Sequence, residues 1–175
     1  MKLLLLNGHP GSGKTTVAQG LRMQIPRLAI LDVDLFRKFV SDFNHSPEDI
    51  SLMWSVTFVM IEMYLKNGIS VLVDRCIDDP KPRLELKKLS KKYGTEFQEI
   101  ILYIKTLNCA VERVRNRPMK SLSKFKKTKI NRPLISSLRK IVMKEADQKD
   151  VLSFDTERES VQKVVQEIAK YFFKV

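Results

Sequence analysis

The sequence predicts an α/β protein in which helices cover both faces of a parallel sheet. Short apolar runs alternate along the chain with amphipathic stretches, a pattern typical of strand–helix–strand units. Some runs, such as residues 3–6, are apolar at every position, which is typical of strands buried on both faces. The chain has 175 residues, 43% of them hydrophobic and 30% charged, and we expect one globular domain over residues 1–175.

The first half of the chain is predicted to contain three strands and three helices. Apolar and β-branched runs mark the strands, which we expect at residues 2–6, 28–31 and 69–73. Apolar residues at helical spacing mark the helices, which we expect at residues 14–23, 34–43 and 46 to about 66. Ser46 followed by Pro47 is typical of a helix start, and Gly68 is typical of a helix end.

The second half continues the alternation of strands and helices. Two further strands are expected at residues 97–104 and 151–154. Helices are expected at residues 80–93, 108–117 and 133–145 and from Ser160 onward, with Asn108 and Ser160 as caps. No internal repeat and no Gly-, Ser- or Pro-rich linker is present, so the sequence predicts no domain boundary.

A glycine-rich sequence joins the first strand to the first helix. It matches G-x-x-x-x-G-K-[ST] at every fixed position between Gly8 and Thr15. Glycines let successive N–H groups point at phosphate oxygens, and the helix N-terminus adds partial positive charge. The pattern predicts an ATP-binding loop in which Lys14 contacts the β- and γ-phosphates and the Thr15 hydroxyl binds Mg²⁺. The residues expected to contact the nucleotide are Gly8, His9, Pro10, Gly11, Ser12, Gly13, Lys14, Thr15 and Thr16.

Carboxylates follow the second and third strands, at the edge of the sheet where ligands of parallel α/β proteins bind. Asp34, three residues before Arg37, can accept a proton from an attacking hydroxyl. Alternatively, Asp34 caps the following helix and Arg37 pairs with it on the surface. Asp32 lies two residues before Asp34, so it is also a candidate for the general base. Asp74 is a candidate Mg²⁺ ligand or acceptor contact, with a loop cap as the alternative, and Arg75 faces either acceptor phosphate or solvent.

Basic residues are concentrated in one segment. The formal net charge is +12, and the twelve Lys and Arg residues of 113–144, with no Asp or Glu among them, account for it. Such a segment favours a polyanion, either nucleotide phosphates or a nucleic-acid backbone, with a solvated basic surface as the alternative. Arg113 and Arg117 share a face of their predicted helix and can stabilise a transferring phosphoryl group, unless that face is simply solvated.

Together, the glycine-rich loop and the sequence from Asp34 to Arg37 resemble the small P-loop kinases typified by 5′-polynucleotide kinase. That group has relatives among zeta toxins, kinases of nucleotide sugars and kinases of antibiotics such as chloramphenicol. Similar stretches follow in order over most of residues 1–145, at 71–74, 79–83, 92–94, 111–117 and 132–139. The resemblance implies a three-layer P-loop NTPase fold with five parallel strands in the order 2-3-1-4-5, and a basic lid at about 117–133.

The resemblance also implies roles for individual residues. Asp34 is then the general base, Arg37 the acceptor-site arginine, and Arg113 and Arg117 the lid arginines, with ATP and Mg²⁺ as cofactors. The family's best-known polynucleotide kinase has a second, phosphatase domain, which we do not expect here. The basic stretch 120–129 has no clear counterpart in that family.

The sequence leaves three functions open. The first is ATP-dependent transfer to a hydroxyl, with a nucleic-acid or nucleotide 5′-hydroxyl as the leading acceptor. The second is a small-molecule kinase for a nucleoside, sugar or antibiotic. The third is a nucleotide-binding regulatory or toxin-like module, against which the acceptor-side base argues. Aromatic residues at helical spacing either stack an acceptor base or belong to the core; they are Phe39, Phe43, Trp54 and Phe58.

Sequence features also bear on the compartment. The longest apolar runs are too short to cross a membrane, and residues 7–10 interrupt the leucine run that resembles a signal peptide. Cys76 and Cys109 are the two cysteines, far apart in sequence, and they suggest neither a disulfide framework nor a zinc site. We therefore expect a cytoplasmic protein without a membrane-spanning segment.

Overall fold

The structure, a computed structural model, describes residues 1–77, 79–116, 130–148 and 151–174. Within these ranges five parallel strands form one sheet in the order β2-β3-β1-β4-β5. The strands are β1 Lys2–Gly8, β2 Leu28–Asp32, β3 Ser70–Asp74, β4 Glu96–Tyr103 and β5 Leu152–Asp155. The predicted α/β fold and the strand order that the resemblance implied are both confirmed.

Seven α-helices connect and flank the strands in the described part of the chain. They are α1 Lys14–Gln24, α2 Val33–Phe36, α3 Pro47–Lys66, α4 Pro80–Lys92, α5 Leu107–Arg115, α6 Arg132–Ala146 and α7 Val161–Phe173. The predicted caps of α3 and α7 are confirmed, because Ser46 and Ser160 each accept a hydrogen bond from the N–H three residues later. None of the described helices combines the length and apolar character that crossing a membrane requires.

Two helix starts differ from the prediction. The expected helix 34–43 is replaced by the single turn of α2 and a 3-10 turn at Arg37–Phe39. Asp32, and not Asp34, is the N-cap of α2, because its carboxylate accepts a hydrogen bond from the Asp34 N–H at 3.0 Å. The backbone then becomes extended at Val40 and left-handed at Asp42, a residue type that tolerates this conformation. Helix α5 begins after Thr106, so Asn108 lies inside it and is not its cap.

The position of β1 in the middle of the sheet explains why its residues are apolar on both sides. Leu4 and Leu6 pack against α1 and α7, whereas Leu3 and Leu5 pack against α3 and α4. All four side chains are fully buried, and each contributes about 1.5–3 kcal/mol relative to exposure. The two helical layers therefore fix the carboxyl end of β1 and the loop that follows it.

The carboxyl ends of three adjacent strands form the edge of the sheet that carries the polar residues. Strand β1 lies between β3 and β4, and β3 pairs with β2 on its other side. In the parallel register of β2 and β3, Asp32 lies beside Asp74. Ligands of open parallel sheets bind at this edge, near the point where the strand order reverses.

Candidate active site

The loop between β1 and α1 has the backbone conformation that its glycines permit. Gly11 and Gly13 have φ values of 90° and 86°, in the left-handed region that favours glycine. A Cβ atom on Gly11 would lie 2.6 Å from the carbonyl oxygen of Ala110, so a larger residue is also excluded by contact with α5. The Lys14 ammonium donates hydrogen bonds to the carbonyl oxygens of Gly8 at 2.6 Å and His9 at 3.4 Å, and thus lies over the loop.

His9 anchors this loop to the end of β4. Its side chain is fully buried, and its Nε2 accepts a hydrogen bond from the Ile104 N–H at 3.0 Å. The other nitrogen, Nδ1, must therefore carry the proton, which it donates to the carbonyl oxygen of Pro10 at 2.8 Å. Burial lowers the pKa of His9 to about 4. The imidazole is therefore neutral at physiological pH and holds the loop in place.

A hydroxyl and two carboxylates lie next to one another beside the loop. The Thr15 hydroxyl donates a hydrogen bond to Asp74 Oδ2 at 3.0 Å, and Asp74 neighbours Asp32 across the strands. Burial, together with the nearby carboxylates of Asp74 and Asp34, raises the pKa of Asp32 to about 6. A cation at this position would relieve the repulsion between these carboxylates.

Asp34 forms an ion pair with Arg75, the residue that follows β3. The sequence analysis placed Arg37 beside Asp34 and did not predict that Arg75 pairs with this carboxylate. Because α2 ends after one turn, Arg37 lies on the 3-10 turn and lines the same cavity as Asp34. The Arg75 guanidinium fixes the direction of the Asp34 carboxylate, whose side chain remains about half exposed.

A cavity of about 240 Å³ brings together several of the residues that the sequence analysis singled out. The glycine-rich loop of residues 8–15, which the sequence predicts to be a phosphate-binding loop, contributes one part of the lining, and the ends of β2 and β3 contribute another. The chemically active residues of the lining are Lys14, Thr15, Asp32, Asp34, Arg37 and Asp74. Lys38 and Cys76 also line the cavity, and sequence reasoning did not assign them to the site. The arrangement places an ammonium group, a hydroxyl and carboxylates around one open space.

Arg113 lies against the loop that follows β5. Its guanidinium donates a hydrogen bond to the carbonyl oxygen of Thr156 at 2.8 Å, and the Thr156 hydroxyl donates one to the carbonyl oxygen of Ser12 at 3.0 Å. Arg113 is thus connected to the phosphate-binding loop through Thr156. Arg117 and the predicted lid up to residue 129 lie outside the described residues.

Beneath the loop lies a polar network that sequence reasoning missed. Asn7 is fully buried, and its Oδ1 accepts hydrogen bonds from the N–H groups of Gly8 at 2.8 Å and Ile77 at 3.0 Å. Its amide nitrogen donates to Glu99 at 2.9 Å and Glu145 at 3.2 Å. Arg83 bridges these two carboxylates, with distances of 2.7 Å to Glu99 and 3.0 Å to Glu145. A polar residue that ends an apolar run before a glycine is the one sequence signal for this network.

The candidate aromatic residues divide between the core and the surface. Trp54 is buried and stacks on Phe58 at 5.5 Å between ring centroids, and both belong to the core with Phe43. Phe39 is 80% exposed and lies 6.3 Å from the Phe36 ring. Phe39 lies on the same 3-10 turn as Arg37 and Lys38, which line the cavity.

Comparison with known proteins agrees with this architecture. Residues 3–132 match the family model described as AAA domain. The tunicamycin resistance protein of Deinococcus radiodurans is similar over 98% of this chain and 95% of its own, with 20% identity and a TM-score of 0.62. The APS kinase CysC of Mycobacterium tuberculosis, in complex with AMPPNP and APS, is similar over 97% and 95%, with 19% identity and a TM-score of 0.63.

A third similar structure is the Pnkp1/Rnl/Hen1 RNA repair complex. It matches 85% of this chain but 47% of its own chain, with 22% identity and a TM-score of 0.69. At these identities the three structures show a shared fold. No curated protein sequence matches this chain.

Proposed function

The chain belongs to the AAA domain family, and from this premise we propose that it is an ATP-dependent phosphotransferase that moves the γ-phosphoryl group to an acceptor hydroxyl. One observation carries the proposal. Lys14 and Thr15 of the phosphate-binding loop face the same 240 Å³ cavity as Asp34 and Arg37. A cavity that joins a phosphate-binding loop to a carboxylate and a guanidinium has the groups needed to hold a phosphoryl donor and an attacking hydroxyl.

The phosphate-binding loop and Thr15 form the part of the site that we expect to bind the nucleotide. Backbone N–H groups of the glycine-rich loop after Gly8, whose own N–H donates to Asn7, bind the phosphates together with the N-terminus of α1. Lys14 exchanges its carbonyl partners for phosphate oxygens. The donor set fits Mg²⁺, because the Thr15 hydroxyl and the Asp74 carboxylate are hard oxygen ligands that already lie together. In the described residues no three His, Cys, Asp or Glu side chains form a complete metal site, so nucleotide phosphates and water must supply further ligands. Bound Mg²⁺ would neutralise charge on the phosphates.

On the acceptor side, Asp34 accepts the proton of the attacking hydroxyl. Its ion pair with Arg75 holds the carboxylate in one direction. Arg37 lines the same cavity, and we assign its guanidinium to contact with an anionic group of the acceptor. Asp32 is the less suitable base because its Oδ1 already accepts the hydrogen bond that caps α2. We assign Asp32 a positioning role beside Asp74.

The leading acceptor is a nucleic-acid or nucleotide 5′-hydroxyl. Arg37 and Lys38 give the cavity wall positive charge, and the exposed ring of Phe39 follows them directly. An arginine and an exposed aromatic residue on one 3-10 turn suit an acceptor that has both phosphate and a base. The twelve basic residues of 113–144 add attraction for a polyanion.

A small-molecule acceptor is the second candidate, and the size of the cavity favours it. A volume of about 240 Å³ lies below the range of about 300–1,000 Å³ that is common for drug-sized ligands, so a nucleoside or sugar alcohol would fill it. The similar tunicamycin resistance protein and APS kinase are named for small molecules, which supports this candidate. A regulatory or toxin-like module that only binds nucleotide would have no need of Asp34 at this position.

The test is a transfer assay with labelled ATP, Mg²⁺ and a panel of acceptors. The panel contains oligonucleotides with free 5′-hydroxyls, the same oligonucleotides with 5′-phosphates, nucleosides, sugars and aminoglycoside-type alcohols. We expect label on the free 5′-hydroxyl, with a KM that rises steeply with salt because basic residues replace condensed counterions. Label on a small alcohol alone would favour the second candidate. ATP hydrolysis without label on any acceptor would refute the phosphotransferase proposal.

A further inference from the structure

Helix α3 has one apolar face in the core and a second apolar face in solvent. The core face is formed by Met53, Trp54, Thr57, Ile61 and Leu65. On the opposite side of the helix four large apolar residues are exposed by 50%, 40%, 61% and 56%; they are Leu52, Val56, Val59 and Met63. Contiguous exposed apolar surfaces are uncommon on monomeric proteins, and the larger ones often mark interaction sites.

The four residues have the spacing of a coiled-coil seam. They follow one another at intervals of four, three and four residues, so they form a continuous stripe along the helix. Asp49 lies three residues before the stripe and Lys66 three residues after it. From Asp49 to Lys66 the intervals are therefore three, four, three, four and three, and they read the same in both directions.

A stripe with this symmetry matches an antiparallel copy of itself. If a two-fold axis crosses α3 at the level between Thr57 and Phe58, Leu52 of one copy meets Met63 of the other. Val56 then meets Val59, so each apolar residue meets an apolar residue. At each end of the stripe Asp49 meets Lys66, with opposite charges.

A parallel arrangement of two copies would not match. It would place Asp49 against Asp49 and Lys66 against Lys66, and like charges at a helix–helix contact are repulsive. The charges therefore select the antiparallel orientation, and the apolar residues supply the contact area.

We propose that the outward face of α3 is a homodimer interface, in which two copies of this chain pair antiparallel about a two-fold axis. The proposal is independent of the proposed function, since the stripe shares no residue with the cavity. A single pair of helices gives an interface near the lower limit of specific ones, about 1,200 Å² or less. The dimer is therefore weak, and its population depends on protein concentration.

Sedimentation equilibrium of the full chain tests the interface over about 5–500 µM. We expect the mass of the wild-type protein to rise from 20.3 kDa toward twice that value. Val59→Glu should remain a monomer throughout. Leu84→Glu is the matched control, because Leu84 is 55% exposed on α4, and it should dimerise like the wild type. A wild-type protein that stays monomeric, or a Val59→Glu variant that dimerises, would overturn the proposal and leave the stripe for a different partner.

Reversing the charge of Asp49 or of Lys66, which lie at the two ends of the stripe, tests whether the two helices pair antiparallel. Asp49→Lys and Lys66→Asp should each weaken dimerisation by about tenfold or more, because each places like charges at both ends. An equimolar mixture of the two variants should form a heterodimer, in which both ends again have opposite charges. Asp49 also accepts a hydrogen bond from the Asn44 N–H, so Asp49→Lys can lower stability, but lower stability would not restore association on mixing. A mixture that stays monomeric would overturn the antiparallel register.

Discussion

Acidification should destabilise this protein through His9. The nitrogen that takes up a proton is Nε2, which would then lose the hydrogen bond from Ile104. Burial lowers the pKa of His9 from 6.5 to about 4, so the unfolded chain binds the proton first as the pH falls. The stability that neutral His9 supplies is complete above about pH 6.5 and is lost toward pH 4. The loss is about 2 kcal/mol at pH 5 and approaches about 3 kcal/mol at lower pH.

The assay is urea unfolding of the wild type and His9→Gln at pH 7 and pH 5. The glutamine amide oxygen can replace Nε2 as the acceptor for Ile104, and it does not titrate. Asp32 acts in the opposite sense, because its raised pKa of about 6 lets the folded state bind a proton first as the pH falls. Asp32 is present in both proteins, so its contribution cancels. We expect the wild type to lose about 2 kcal/mol more than His9→Gln, and equal losses would refute the reasoning.

Three further predictions concern the proposed reaction. Lys14→Ala should abolish phosphoryl transfer in the ATP assay while its urea unfolding midpoint stays close to that of the wild type, because the ammonium contacts backbone carbonyls and not the core. Excess EDTA should stop turnover, and added Mg²⁺ or Mn²⁺ should restore it; full activity in EDTA would exclude a metal at Thr15 and Asp74. Asp34→Asn should lower kcat by about 10²–10⁴-fold and change ATP affinity by less than about tenfold. Asp32→Asn should have the milder effect on kcat, since asparagine can still cap α2. The reverse order of the two kcat values would assign the base to Asp32.

The fold was predictable because local sequence and global architecture agree. Strands with apolar residues at every position imply layers on both faces, and the packing of Leu3, Leu4, Leu5 and Leu6 into two separate cores shows this directly. The helix 34–43 was predicted too long because its apolar residues have helical spacing. The cap at Asp32 and the extended backbone at Val40 set its real limits, and periodicity does not report either of them.

The site was predictable only where its residues are close in sequence. The phosphate-binding loop is one contiguous segment, so its sequence pattern predicts most of its backbone conformation. The ion pair of Asp34 with Arg75 joins residues 41 positions apart, and the pairing depends on β2 and β3 being neighbours in the sheet. Sequence spacing identified only Arg37 as a neighbour of Asp34, because spacing relates residues within one segment and not residues on neighbouring strands. The assignments of Arg113 and Arg117 as lid arginines stay predictions.

The network beneath the phosphate-binding loop limits how the loop can be reused. Its first amide, that of Gly8, is held by Asn7, and Asn7 is held by carboxylates from β4 and α6 that Arg83 of α4 connects. An engineer who transplanted residues 8–15 to another scaffold would move the sequence pattern without these supports. Transplanting Asn7 as well would bury an amide without its carboxylate partners, at a cost of about 1–3 kcal/mol. The smallest transferable unit is therefore the loop with the four side chains beneath it, drawn from four separate elements of the fold.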